Sequence, residues 1–267
     1  MNTPDDYNFR FGGIERLYGR LTLAAFRDAH MVVVGLGGVG SWAAEALVRS
    51  GIGELTLIDM DDICVSNTNR QLHALQGAYG RTKTDAMAER LQAINPQARI
   101  HVHFGFLTMG NVTELLPEGL AGVIDAIDSV KPKAALIAHC KRRKIPLVVA
   151  GGAGGQMDPT QIQVSDLSRT TQDPLLAKVR NLLRREYNFS RNPKRRFGVE
   201  AVFSTEQLTY PDGDGGVCQQ KPATEGPVRL DCASGFGAAS PVTGTFGLVA
   251  ASRLLNRLAL KASRTDA

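Results

Sequence analysis

The sequence predicts an α/β fold, a doubly wound and mostly parallel sheet with a decorated C-terminal third. Three observations carry this. An apolar run at residues 31–34 enters the turn Gly35-Leu-Gly37-Gly38-Val-Gly40 and then a helical stretch at 42–50. A second β-rich run, ELTLID at 54–59, comes one helix later, and strand-like and helix-like patterns keep alternating to residue 150. Parallel strands joined by right-handed helical crossovers are what such an alternation builds.

Each element has a local reason. MVVV at 31–34 is β-branched and apolar without alternation, as suits a strand covered on both faces. WAAEALVRS at 42–50 is composed largely of helix formers and stops before Gly51 and Gly53. The remaining strand candidates are residues 98–104, 122–127 and 145–150, separated by helical patterns at 82–94 and 131–144. The sheet is therefore expected to occupy residues 30 to about 170. Beyond it, 173–187 reads as helix, 188–198 carries Pro and Arg, and 210–227 is dense in Gly, Pro and Asp, as a long functional or mobile loop would be. With no repeat and no interdomain linker, residues 1–267 read as one unit, a nucleotide core at about 30–170 and a substrate or dimer region at about 171–267.

Composition narrows the class. The 267 residues carry a net charge of +5, with 43% apolar and 21% charged residues. Collagen-like, disordered and disulfide-framework classes are excluded. Cys64, Cys140, Cys218 and Cys232 form no CxxC pair, so no zinc module is expected, and no export signal precedes the fold, which suits the cytoplasm. Cys64 and Cys140 read as packed. Cys218 and Cys232 lie in or near the loop, where they would meet a sulfur-carrying partner. His101 and His103 alternate on a strand and are expected to face solvent, with no histidine clustered with carboxylates as a metal site demands. Residues 233–252 are uncharged but hold four glycines, Pro241 and five hydroxyls, which favours a closely packed buried helix over contact with an inner membrane.

The turn at Gly35, Gly37, Gly38 and Gly40 fits G-x-G-x-x-G in its required Rossmann-like context, between a strand and a helix whose N-terminus suits a phosphate. Asp59 ends the next strand, where its carboxylate can accept ribose hydroxyls. Those two features alone suit a nicotinamide dehydrogenase. The residues after Asp59 suit a triphosphate better: Asp61 and Asp62, then Ser66-Asn67-Thr-Asn69-Arg70-Gln71, then Lys83. Arg and Lys answer the charge that develops at a transferred phosphorus. Asp61 or Asp62, and more convincingly Asp128 in VIDAIDS, supplies a carboxylate for Mg²⁺.

GLGGVG, D-x-D, SNTNRQ, Lys83 and VIDAIDS together resemble the E1-like adenylyltransferases, which include the ThiF and MoeB proteins and ubiquitin-activating domains. The resemblance spans roughly residues 10–165 and implies ATP and Mg²⁺ as cofactors and adenylation of a carboxylate. It assigns nucleotide and phosphate roles to Gly37, Gly38, Asp59, Asn67, Arg70, Gln71 and Lys83, and the metal to Asp128. Arg16 would reach the partner subunit's ATP, which implies a homodimer. RFGGIERLYG, the glycine run at 151–155, KVRNLLRRE and SGFGAASPVTGTFG are similar to the tRNA threonylcarbamoyladenosine dehydratase branch, which uses ATP to cyclise the threonylcarbamoyl group on adenosine 37 of tRNA. A monovalent cation, Na⁺ or K⁺, near the C-terminal loop is left open.

Charge placement bears on an RNA substrate. Between residues 178 and 198, eight basic side chains, among them Arg184, Arg185, Arg191, Lys194, Arg195 and Arg196, face Glu186 alone, a local +7 that leaves −2 for the rest of the chain. A basic window of this kind suits a phosphate backbone, and Tyr187, Phe189 and Phe197 within it are placed to stack an unpaired base, unless they serve the core. Lys141 to Lys144 read instead as the basic end of a helix. Three other functions compete: adenylation of a ubiquitin-like sulfur carrier's C-terminus, a nicotinamide-dependent oxidoreductase, and a silent ATP-binding scaffold that recruits a cysteine desulfurase.

Overall fold

The computed structural model describes residues 5–108, 110–212, 215–219 and 237–264. Three helices not foreseen from the sequence open the chain, α1 (Asp5–Arg10), α2 (Gly12–Tyr18) and α3 (Arg20–Arg27). The expected alternation comes next: β1 (His30–Val34), α4 (Gly40–Arg49), β2 (Glu54–Asp59), α5 (Lys83–Ile94), β3 (Arg99–Phe104), the short α6 (Val112–Leu115), β4 (Gly122–Asp125), α7 (Val130–Arg143) and β5 (Leu147–Ala150). Then come β6 (Ile162–Asp166), α8 (Pro174–Glu186), β7 (Glu200–Ser204), the small hairpin β8 (Tyr210–Pro211) and β9 (Val217–Cys218), and α9 (Ser240–Arg264).

Seven strands form a sheet of order β3-β2-β1-β4-β5-β7-β6, with β6 antiparallel to β7 and the other pairs parallel. The sheet therefore continues past residue 170. β7 inserts between β5 and β6, pairing Val148 with Glu200 and Val202 with Val164. Neither strand is visible in the sequence: each is five residues long, and the two are joined through α8 and the basic loop, so only the tertiary pairing makes them a ladder.

Successive residues of β1 enter opposite cores. Met31 and Val33 pack with residues of α4, α5 and α9; Val32 and Val34 pack with residues of α7 and α8. The helix α9 closes the first face. A Cβ on Gly247 would stand 2.4 Å from Val39 O and 2.9 Å from Ala43 N, and one on Gly244 would stand 3.4 Å from the Trp42 ring. Small residues thus let α9 lie directly on the start of α4, which is the close packing expected of residues 240–252; residues 233–236 lie outside the described residues. Among the described residues, no helix is long and apolar enough to cross a membrane.

Two expectations are corrected here. Cys140 is buried as expected, but Cys64 is exposed, because neighbouring Ile63 takes the inward position; Cys232, like most of residues 210–227, lies outside the described residues. The sheet register also gathers the histidine–carboxylate cluster that linear spacing concealed: His30 pairs with Glu54 and Thr56 with His101, so His30, Glu54 and His101 share one face of three adjacent strands.

The α4–α9 contact makes a stability prediction. Gly247→Ala, which must displace backbone, is expected to destabilise the protein by about 1–3 kcal/mol in urea unfolding. Gly13→Ala, on α2 with open space around it, is expected to cause no loss.

Candidate nucleotide site

The C-terminal ends of β1, β2 and β4 open into a cleft of about 1070 Å³. Open α/β sheets place ligands at this end, where the helices that succeed the strands direct their N-termini. The glycine turn forms one wall. Gly35 has φ of 88°, and a Cβ on it would stand 2.8 Å from Ala126 O. Gly37 has nothing within 4 Å of its ideal Cβ position and faces the cleft, which leaves the backbone open to a ligand. Gly35, Gly37 and Gly38 line the cleft, whereas Gly40 does not. Gly40 meets a packing demand: a Cβ on it would fall 1.7 Å from Gly35 O, so only glycine lets α4 start against the end of β1.

Asp59 joins the turn to the polar cluster. Its Oδ2 accepts from Leu36 N at 2.5 Å and its Oδ1 from Asp61 N at 2.8 Å. The carboxylate therefore fixes the glycine turn as well as facing the cleft. Lys83, at the first turn of α5 and nearly buried, sends Nζ to Asp61 Oδ2 at 2.7 Å and lies 4.0 Å from Asp59 Oδ1. The backbone of this segment is held at both ends: Lys83 N donates to Asp61 O at 3.0 Å and Thr82 caps α5 by accepting from Asp85 N.

Arg70 is presented differently. Trp42 Nε1 donates to Arg70 O at 3.1 Å, which fixes its backbone, and its guanidinium donates to Ser66 O and Asn69 Oδ1 at 3.0 and 2.9 Å. Among the described residues it has no carboxylate ion pair, so its charge is available to an anion in the cleft. Asn67 is buried and accepts from Cys64 N, shaping the 3₁₀ turn that precedes Arg70. Gln71 is buried beside it, and its Oε1 lies 3.0 Å from His73 Nε2. An amide oxygen can only accept, so Nε2 carries the histidine's proton. Burial, and then the nearby Lys83 charge, lowers the His73 pKa to about 4.

Another wall is the β4–α7 loop. Asp128 is exposed and lines the cleft, as a metal-binding carboxylate must. Behind it lies a frame that sequence reasoning missed. Lys133 is fully buried and donates to Asp125 Oδ1 at 2.9 Å, Asp125 O at 3.2 Å and Ile127 O at 2.8 Å. Burial pushes the Asp125 carboxyl up in pKa, and the Lys133 charge pulls against it. Asp173 caps α8 through Leu176 N and also accepts from Gly152 N, both at 2.9 Å, which ties the glycine run at 151–155 to the cleft floor. The one sequence signal was the pair of aspartates in VIDAIDS, of which the first is structural. Thr243 of α9 and the adjoining Gly237 and Ala238 also line the cleft, with Asn69 Nδ2 donating to Ala238 O at 2.6 Å.

Other expected residues lie elsewhere. Arg16 is exposed on α2, outside the cleft of its own chain. In the basic window, Arg185, Arg191, Lys194, Arg195 and Arg196 are exposed, although Arg185 pairs with Glu186 at 2.8 Å. Arg184 departs from expectation: it is half-buried with its guanidinium 5.3 Å from the centre of the Phe197 ring. Of the aromatics Phe197 is a core residue, and the half-buried Phe189 and Tyr187 pack against the same cluster, Phe189 meeting Phe197 edge to face at 4.9 Å.

Residues 14–265 match the ThiF family. The chain belongs to this family. It is 59% identical over 260 residues to the tRNA threonylcarbamoyladenosine dehydratase of Escherichia coli strain K12, covering 97% of each chain, and 55% identical over 263 residues to the Haemophilus influenzae protein of the same name, covering 98% of each. The crystal structure of the E. coli dehydratase in complex with ATP superimposes with a TM-score of 0.87 at 53% identity, covering 99% of both chains. The ThiF-type fold, Rossmann-like and mostly parallel, is thus shared along the chain.

The buried His73 gives a pH dependence. Its folded pKa is depressed, so between pH 6.5 and pH 4 the unfolded chain binds a proton that the folded chain does not, and stability falls as pH falls. The loss through this group is expected to reach about 3 kcal/mol at pH 4, and His73→Gln is expected to flatten the acid limb of stability measured by urea unfolding across that range.

Proposed function

We propose that this chain catalyses ATP-dependent dehydration, and so cyclisation, of threonylcarbamoyladenosine at position 37 of tRNA through a carboxylate adenylate. The observation that carries the reading is the cleft itself: a glycine turn, an Arg70 held by neutral acceptors, a sheltered Lys83 and an exposed Asp128 converge at one end of the sheet, in a chain that matches the E. coli dehydratase along nearly its whole length. The glycine turn and the N-terminus of α4 receive phosphate, and Asp59 faces the ribose. The threonyl carboxylate oxygen attacks the α-phosphorus, a new O–P bond forms and pyrophosphate leaves. Arg70 and Lys83 offset the charge that accumulates on the equatorial oxygens. Lys83 is well suited because it is already desolvated against Asp61 and Asp59, so little reorganisation is needed when a phosphate competes for it. Asp128 would hold Mg²⁺, whose chemistry is to screen the phosphates. A carbamoyl oxygen or nitrogen of the same substrate then attacks the activated carbonyl, AMP leaves, and a proton is lost. Because the reaction is intramolecular, no enzyme nucleophile is required, and the thiols need not take part.

The reading includes a homodimer in the cytoplasm. Arg16 completes the partner subunit's site, which is why it lies away from its own. The dimer arrangement has a direct test. Arg16→Ala and Asp128→Asn are each expected to abolish the one-water mass loss in the modified nucleoside, and mixing the two variants is expected to restore activity, since one site of the mixed dimer then holds Asp128 from one chain and Arg16 from the other. Failure to recover activity in the mixture counts against the shared site.

tRNA contacts the exposed cations of the basic window. Neutralising Arg191, Lys194, Arg195 and Arg196 together is expected to weaken tRNA binding and to flatten the plot of log affinity against log salt by about 3–4 units. Arg184→Gln is expected to leave that slope unchanged and to lower stability instead, because its guanidinium covers Phe197.

A further inference from the structure

At the end of the sheet opposite the nucleotide cleft, three adjacent parallel strands bring His30, Glu54 and His101 together. His30 and Glu54 are the first residues of β1 and β2 and are paired in register; His101, on β3, pairs with Thr56, two residues along the same face. One ligand atom from each of the three lies within 4.8 Å of the others. Glu54 Oε1 stands 2.8 Å from His101 Nε2 and 3.7 Å from His30 Nδ1. Donors on a tetrahedral ion with bonds of about 2.1 Å are about 3.4 Å apart, so small side-chain adjustments bring these atoms to an ion.

The surroundings orient the donors. Thr56 Oγ1 lies 2.8 Å from His30 Nε2, and when it accepts that N–H the lone pair is on Nδ1, the nitrogen that faces Glu54. Arg99 takes Glu54 Oε2 at 2.5 Å, which turns Oε1 toward the two imidazoles. Supporting bonds of this kind set the tautomer and the carboxylate orientation at metal centres. His30 and Glu54 are about four-fifths covered and His101 about half, which leaves water access for a remaining coordination position.

We propose that His30, Glu54 and His101 form a binding site for a first-row divalent cation of the Zn²⁺ type, which ties β1, β2 and β3 together at the N-terminal edge of the sheet. Two imidazoles and one carboxylate suit Zn²⁺ and, as a spectroscopic stand-in, Co²⁺, and disfavour Mg²⁺. The site is distinct from Asp128 in residues and in position, and it does not depend on the adenylation reading.

The test uses the untagged full chain, freed of metal with a chelator. Co²⁺ titration is expected to give one equivalent with visible d–d absorption that Zn²⁺ displaces, and Zn²⁺ is expected to raise the melting temperature. His101→Ala, on an exposed edge strand, and Glu54→Gln are each expected to weaken Co²⁺ binding at least about tenfold. The melting temperature of His101→Ala in chelator is expected to match that of the unsubstituted chain, which separates loss of the site from loss of the fold. Absence of Co²⁺ absorption, or an affinity unchanged in His101→Ala, overturns the proposal.

Discussion

The cleft depends on how tightly the chain turns between β1 and α4. A Cβ on Gly40 would fall 1.7 Å from Gly35 O, and one on Gly35 would stand 2.8 Å from Ala126 O, so three backbone segments meet where no side chain fits. That contact ties the end of β1 to the start of α4 and to the loop after β4. Asp59 then locks the turn through Leu36 N, so one carboxylate serves both the shape of the loop and the polarity of the wall. α9 reinforces the arrangement from behind, since the absence of a side chain at Gly247 lets it rest on Val39 and Ala43.

Charges around the cleft divide by solvation. Lys133, Asp125 and Asp173 are buried, and their bonds go to one another and to the backbone of the loops that carry the site. Removing one partner from such a pair leaves an uncompensated buried charge, typically a cost of about 3–5 kcal/mol, so these groups act as a frame. Arg70 and Asp128 remain in contact with the cleft, while Lys83 sits between the two regimes, desolvated yet paired with the exposed Asp61. The cations that line the cleft are thus held by a backbone carbonyl, a side-chain amide oxygen and an exposed carboxylate.

The basic window shows the same division on a surface. Most of its exposed members lie on the loop after α8, whereas Arg184 and the aromatics pack toward the second core. A run of like charge is therefore only partly a field for a polyanion. The inward cation contributes by covering an aromatic face, and its charge is expressed weakly outside.

The β1–α4–β2 unit, the glycine turn, the polar segment from Asp59 to Lys83 and the Asp128 that follows β4 can be read from the residues alone. These are legible because helix and strand periodicity and turn chemistry act over a few residues, and because parallel strands with helical crossovers leave few topologies. Only the folded chain settles which glycine faces the cleft and which packs, the places of β6 and β7, the return of α9 to the cleft, the exposure of Cys64, and the meeting of His30, Glu54 and His101. Each of these rests on strand register or on contact between segments far apart in the chain. A five-residue strand or a lone histidine carries no local mark of the neighbour it will meet, and its role is set only when the sheet is assembled.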